Sequence, residues 1–175
     1  MYQKLRDEIE YIMVQASQPL YGFLERMLHM YQIDNVASFI AGVKGEQRPE
    51  VIAQSMNPLG EFQGLKSVQS FGSEDIVSLF SDILIDLPVG VYFRKYIDSM
   101  IEDINASNRD GMGGDNKRGV NVADITKCIE DESSENTKLY LKKIWITEFH
   151  RWIMANCNGA TQDEMDDILK AESDW

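Results

Sequence analysis

Histidine, cysteine and basic residues are scarce in this 175-residue chain, and each scarcity removes a class of function. His29 and His150 are the only histidines; neither lies in an HExxH pattern or four residues from another His or Cys, so no zinc site is expected. Cys128 and Cys157 lack CxxC spacing and give no disulfide framework, which makes a reducing compartment the default. Pairing Cys157 with His150 as nucleophile and base would span about 10 Å of helix, too far for direct proton transfer. Lysine and arginine number 17 against 29 acids, a formal net charge of -12, which disfavours nucleic acid and anionic lipid and leaves basic or apolar surfaces as partners. Long apolar runs are missing too. The most hydrophobic window, IVSLFSDILIDLPVGVYF, is broken by Asp82, Asp86 and Pro88, short of the roughly 20 residues a membrane span requires. The opening MYQKLRDEIEYIMVQ is charged where a secretory signal would be apolar.

What is present is helical periodicity. Hydrophobic residues make up 43% of the chain, enough for one compact domain or a large piece of a bigger one. Leu5, Ile9, Ile12, Met13 and Ala16 form one amphipathic stripe that Pro19 interrupts. The stripe resumes at Leu20 and runs through Phe23, Met27, Val36, Phe39 and Val43, with Gly45 expected as C-terminal cap. Pro49 suits the first turn of a short helix, and Asn57 to Gly60 is turn chemistry. Ser73 is a candidate cap for a helix holding Ile76, Leu79 and Phe80, and Pro88 is expected to open another with Tyr92, Tyr96 and Met100 on its apolar side. Thr137 to Cys157 reads as a helix with Leu141, Trp145, Phe149, Trp152 and Ile153 for a core. Gly159 ends it, and Thr161 to Glu164 has capping-box spacing for a last helix. No segment alternates with period two. The spacing predicts an all-α antiparallel bundle over residues 1–175.

Residues 105–119 hold four glycines and few apolar residues, and are expected to form a flexible, protease-sensitive loop. The loop fails as a phosphate cradle: after Gly114 and Gly119, Val120 and Asn121 stand where a P-loop needs Lys and Ser or Thr. It also fails as a dinucleotide turn, since Asn116 replaces the third glycine. Asp103, Asn105 and Ser107 match the first oxygen positions of a calcium loop, but Asn108 replaces the glycine at the sixth and Gly114 the glutamate at the twelfth. Carboxylate pairs abound because acids abound, and the Trp145, Phe149, Trp152 stripe reads as packing. No catalytic, cofactor-binding or metal residue is expected; a helical regulatory module with a weak metal-binding loop is the alternative.

Several collinear motifs carry a resemblance. Tyr31-Gln32-Ile33-Asp34-Asn35-Val36 precedes an apolar helix end and a glycine turn; Pro58-Leu59-Gly60-Glu61-Phe62 follows, then Ile83-Leu84-Ile85-Asp86-Leu87-Pro88 with Tyr92 and Phe93. A late helix carries Glu148-Phe149, then Gly159 and Thr161 to Met165. Together they resemble subunit d of the vacuolar-type proton ATPase, related to the C-type subunit of archaeal-type ATPases, with Tyr31, Asp34, Asn35, Pro58, Leu59, Gly60, Asp86, Pro88 and Glu148 as structural signature residues. Members of that family are about twice this length, so the chain looks like a middle fragment. The resemblance implies a non-catalytic, funnel-like helical subunit on the cytoplasmic face of vacuolar or other endomembranes. There it would join the central-stalk subunits to the proteolipid ring during ATP-driven proton transport, with no cofactor. It also implies that the fragment exposes apolar surface. An acid and an amide at 34 and 35 interrupt an apolar face, so a structural role is expected for them: the Asp34 carboxylate should accept backbone N–H groups from the turn at 57–60 or at 87–90, the alternative being that both side chains point to water on the outer face of the helix.

Overall fold

The computed structural model describes residues 2–61, 87–110 and 131–173, and within them every regular element is helical. They are α1 (Tyr2–Gln15), α2 (Leu20–Lys44), α3 (Pro49–Ser55), a 3-10 turn at Pro58–Gly60, α4 (Gly90–Asp110), α5 (Ser134–Asn156) and α6 (Ala160–Ser173). The all-α expectation holds for the described residues.

The C-terminal half of α2 is apolar on nearly all sides, which is the signature of a helix surrounded by others. Ile33, Val36, Phe39, Ile40 and Val43 are all buried. α5 runs antiparallel along it: Trp145 Nε1 donates to the Arg26 carbonyl near one end, Lys138 and Lys142 reach Asp34 midway, and Lys44 Nζ donates to the Glu132 carbonyl at the other. The turn before α4 adds Val89 to the same core, α4 adds Tyr92, Phe93 and Tyr96, and α5 adds Leu141, Trp145, Ile146, Phe149 and Ile153. The short α3 closes one end, its Ile52 lying where a side chain on Gly42 would stand. α6 folds back along α5 through Leu169 and a His150–Asp166 contact of 2.7 Å.

Gly45 caps α2 as expected, at φ -86° and so not left-handed; Glu46 adopts positive φ (51°) instead, while Gly45 N–H and Gln47 N–H satisfy the carbonyls of Ala41 and Gly42. Other element ends depart from the expected ones. α4 begins at Gly90, not Pro88, because Leu87 to Val89 first make a turn closed by Gly90 N–H on the Leu87 carbonyl. α4 also continues to Asp110, so residues 105–110 are helix and not loop; residues 111–119 lie outside the described residues. α5 starts at Ser134, before Thr137, because the Ser133 hydroxyl caps it by accepting from Asn136 N–H. Thr161 lies inside α6 instead of capping it. Gly159, at φ 58°, makes the reversal, and its carbonyl accepts from Gln162 and Asp163. The Ser73-capped helix falls outside the described residues.

Candidate functional site: the junction at Asn57–Glu61

The motif residues of α2 and those of the 3-10 turn meet in one place. Asn35, 2% exposed, turns its amide edge-on to the backbone of Asn57: Asn57 N–H donates to Oδ1 (2.8 Å) and Nδ2 donates to the Asn57 carbonyl (2.9 Å). One side chain therefore satisfies both polar groups of a non-helical residue, as a strand neighbour would. Asn57 in turn caps the 3-10 turn, its own Oδ1 accepting from Leu59 N–H at 3.0 Å. Leu59 is buried beneath, and Pro58 supplies the fixed φ at the start of the turn.

Gly60 is required by space. A Cβ built there would collide with the Tyr31 carbonyl oxygen and lie 2.6 Å from Asn35 Nδ2, so any side chain would push the turn off α2. Tyr31 thus enters the motif through its backbone. A third segment completes the junction, because Arg6 of α1 donates to the Pro58 carbonyl (3.0 Å) and pairs with Glu61 (2.6 Å) and Glu10 (2.7 Å). The turn ties α1 and α2 together.

The other signature residues lie elsewhere. Asp34 does not accept backbone N–H groups from either turn; Asn35 has that role at 57. The physical reason is angular: neighbouring helix positions point about 100° apart, and position 34 faces α5. There Asp34 Oδ1 lies 3.1 Å from Lys138 Nζ and 3.0 Å from Lys142 Nζ, contacts with the geometry of ion pairs and not of directed hydrogen bonds. Glu148 bridges α5 to α4 by accepting from Lys95 and from its own helix's Arg151. Burial pushes the Glu148 carboxyl up, but those two cationic donors outweigh it and hold it below the usual range. Pro88 is exposed in the turn before α4, and Asp86 lies outside the described residues.

Both histidines are held in polar pairs between helices. His29 Nδ1 and the Tyr92 hydroxyl are 2.8 Å apart, joining α2 to α4. Burial, with the positive charge of Arg26 beside it, lowers the imidazole to about 4, while burial pushes the Tyr92 phenol up to about 12. His150 and Lys170 converge on Asp166, whose carboxyl is held low first by the Lys170 hydrogen bond and then by that from His150. Among the described residues no group of three His, Cys, Asp or Glu side chains could hold a metal ion. Asp103 and Asn105 lie on α4, where side chains fan around a helix instead of wrapping a cation. No described helix is long and apolar enough to cross a membrane.

Sequence reasoning did not find Arg6, Lys95, Lys138 or Lys142, and it read Asn57 as a turn residue without its pairing to Asn35. An Arg on an otherwise apolar stripe (Ile9, Met13, Ala16) was the available signal for the first. The lysines carried none, since their partners are remote in sequence.

What the fold and junction define is an all-helical body held together by inter-helix polar locks. The chain belongs to the ATP synthase (C/AC39) subunit family, which it matches over residues 1–175. It is similar to the rice (Oryza sativa subsp. japonica) protein named "Probable V-type proton ATPase subunit d", 28% identical over 171 residues, 98% of this chain and 40% of the relative. Arabidopsis thaliana V-type proton ATPase subunit d1 is 25% identical over the same shares. Saccharomyces cerevisiae V-type proton ATPase subunit d is 33% identical over 104 residues, 58% of this chain and 30% of the relative. The chain spans about 40% of the length of the rice and Arabidopsis relatives it matches.

Proposed function

We propose that the chain serves in a non-catalytic subunit of a V-type proton ATPase, joining the central stalk to the proteolipid ring on the cytoplasmic face of an endomembrane. The observation that carries this reading is the family match along all 175 residues, together with relatives named as subunit d. The structure supports it physically. Asn35–Asn57, Arg6–Glu61 and Lys95–Glu148 add directed polar contacts between elements to the close-packed apolar core, and a body of that kind transmits strain, as a part that carries load between two others must. In this reading residues 1–175 act as one helical region and the signature residues keep its shape.

The test is affinity purification of the full-length native protein from solubilised membranes, with identification of its companions. Stalk and proteolipid subunits at fixed ratio to the protein are the expected result. Recovery in the soluble fraction without them overturns the reading. Calcium titration addresses the regulatory-module alternative, for which saturable binding would be needed.

A further inference from the structure

α1 differs from the other helices in how it is held. Among the described residues no α1 side chain belongs to the buried core or to the half-buried apolar residues packed on it, whereas α2 to α6 each contribute. Its principal contacts are with the turn at Pro58–Gly60 and with α2, and Arg6, Ile9 and Met13 are its half-buried side chains. The link to α2, Ala16 to Pro19, is not helical.

One side chain supplies the polar fastening. Arg6, 19% exposed, reaches out of α1 to the Pro58 carbonyl and to Glu61, whose side chain is 45% exposed. The Gln3–Asp7, Lys4–Glu8 and Arg6–Glu10 contacts lie within the helix and tie it to nothing else. The turn, for its part, stays formed without α1. Asn35 holds Asn57, Asn57 caps the turn, and the Pro58 carbonyl also accepts from Glu61 N–H at 3.2 Å, so withdrawing Arg6 strands no backbone group. A released α1 does not persist as a helix, because 14 residues without tertiary packing are too few. Leaving the body and unravelling are therefore one event.

We propose that α1 is a strap the fold releases as a unit, with the Arg6–Glu61 pair as its catch and ionic strength as its control. Dissolved ions screen a half-exposed carboxylate, whereas the apolar packing of α2 on α5 responds little. The inference concerns bonds inside this chain and does not depend on the ATPase reading.

The test is amide hydrogen exchange of the full chain, followed by NMR and expressed as protection factors so that salt effects on intrinsic exchange cancel. Amides of Arg6 to Gln15, which have acceptors within α1, are expected to exchange as one group, at least about tenfold faster than those of α2 and α5. Raising sodium chloride from about 0.05 to about 0.5 M should lower α1 protection about fivefold and leave α2 and α5 unchanged. Glu61→Gln keeps the Arg6–Glu10 pair; it should lower α1 protection about threefold at low salt and remove most of the salt response. Arg6→Glu should lower protection further, and adding Glu61→Arg should restore part of it by forming the pair in reverse. Four results overturn the proposal. They are α1 amides that exchange together with those of α2 and α5, α1 amides with no protection even at low salt, protection indifferent to salt, and a salt response that survives in Glu61→Gln.

Discussion

Replacing Asn35 by alanine strips two hydrogen bonds from Asn57 at once and leaves a backbone donor and acceptor facing a cavity. The expected loss is about 2 to 3 kcal/mol, read as a fall in the denaturation midpoint. Asn35→Asp separates the two bonds, because a carboxylate still accepts from Asn57 N–H but repels the Asn57 carbonyl; it should melt well below the parent even though it is the smaller change. Asp34→Ala should cost less, about 1 kcal/mol, since its ion pairs with Lys138 and Lys142 are part-exposed. Gly60→Ala should be more damaging than a glycine-to-alanine change in an open turn, about 3 kcal/mol, because the clash is with the backbone of α2. At this scale the sequence marks the right motif and misassigns its parts. Adjacent polar residues at 34 and 35 are visible in a string of letters, whereas their facing depends on which helix packs on which side. Gly60 reads as a turn residue but is needed for proximity, a demand that exists only once Tyr31 is beside it.

Elements were the most legible level, and their ends the least. The stripe of α5 follows from periodicity, with Trp145 and Phe149 buried as it requires, whereas the single stripe read on α1 divides, Leu5 and Ile12 standing exposed beside half-buried Ile9, Met13 and Ala16, and Leu20 and Met27 of the α2 stripe are exposed too. The boundaries depend on local choices of nearly equal energy. α4 runs through Asn105 to Asp110 although those residues have little apolar character, because an established helix extends at low cost whereas nucleating one is expensive. Thr161 is the expected cap of α6 and is not used, since Gly159 sets the start of that helix first, whereas Ser133, which the sequence reading passes over, caps α5. Ser133→Ala should therefore lower stability by about 1 kcal/mol, while Thr161→Ala stays within about 0.5 kcal/mol of the parent, by thermal melts of the two side by side. Arg6→Ala tests how α1 is held: amide exchange should quicken along Tyr2–Gln15 and at the Asn57–Glu61 turn, with the α2–α5 amides unchanged.

At the scale of the molecule, His29 contributes to the acid limb of stability. His29 is lowered from 6.5 to about 4, so between those values the unfolded chain binds a proton that the folded chain refuses. Stability then falls as pH drops through that window, by about 3 kcal/mol once both values are passed. Glu148 and Asp166, held below the ordinary carboxylate range, act further down: their contribution is present above the unfolded carboxylate value and is lost as pH falls through the folded one. At the alkaline end Tyr92, raised to about 12, is the proton the folded state keeps longer, so stability declines as pH rises from 10. His29→Gln should flatten the melting-temperature profile between pH 6.5 and 4.5 and leave the alkaline fall in place. An unchanged acid slope in that variant would locate the effect elsewhere.

The antiparallel lie of α5 on α2 also sets an order of assembly. The bonds of the junction join residues 22 apart, Asn35 to Asn57, and 55 apart, Arg6 to Glu61, and all of these have been synthesised by residue 61. The bond from Trp145 to Arg26 spans 119 residues. During synthesis at about 5–20 residues per second, the apolar wall of α2 waits roughly 5 to 20 s for α5 after its own residues have emerged. A nascent chain paused in that interval should already resist protease around the turn while presenting Ile33, Val36 and Phe39 to any chaperone that binds greasy helices.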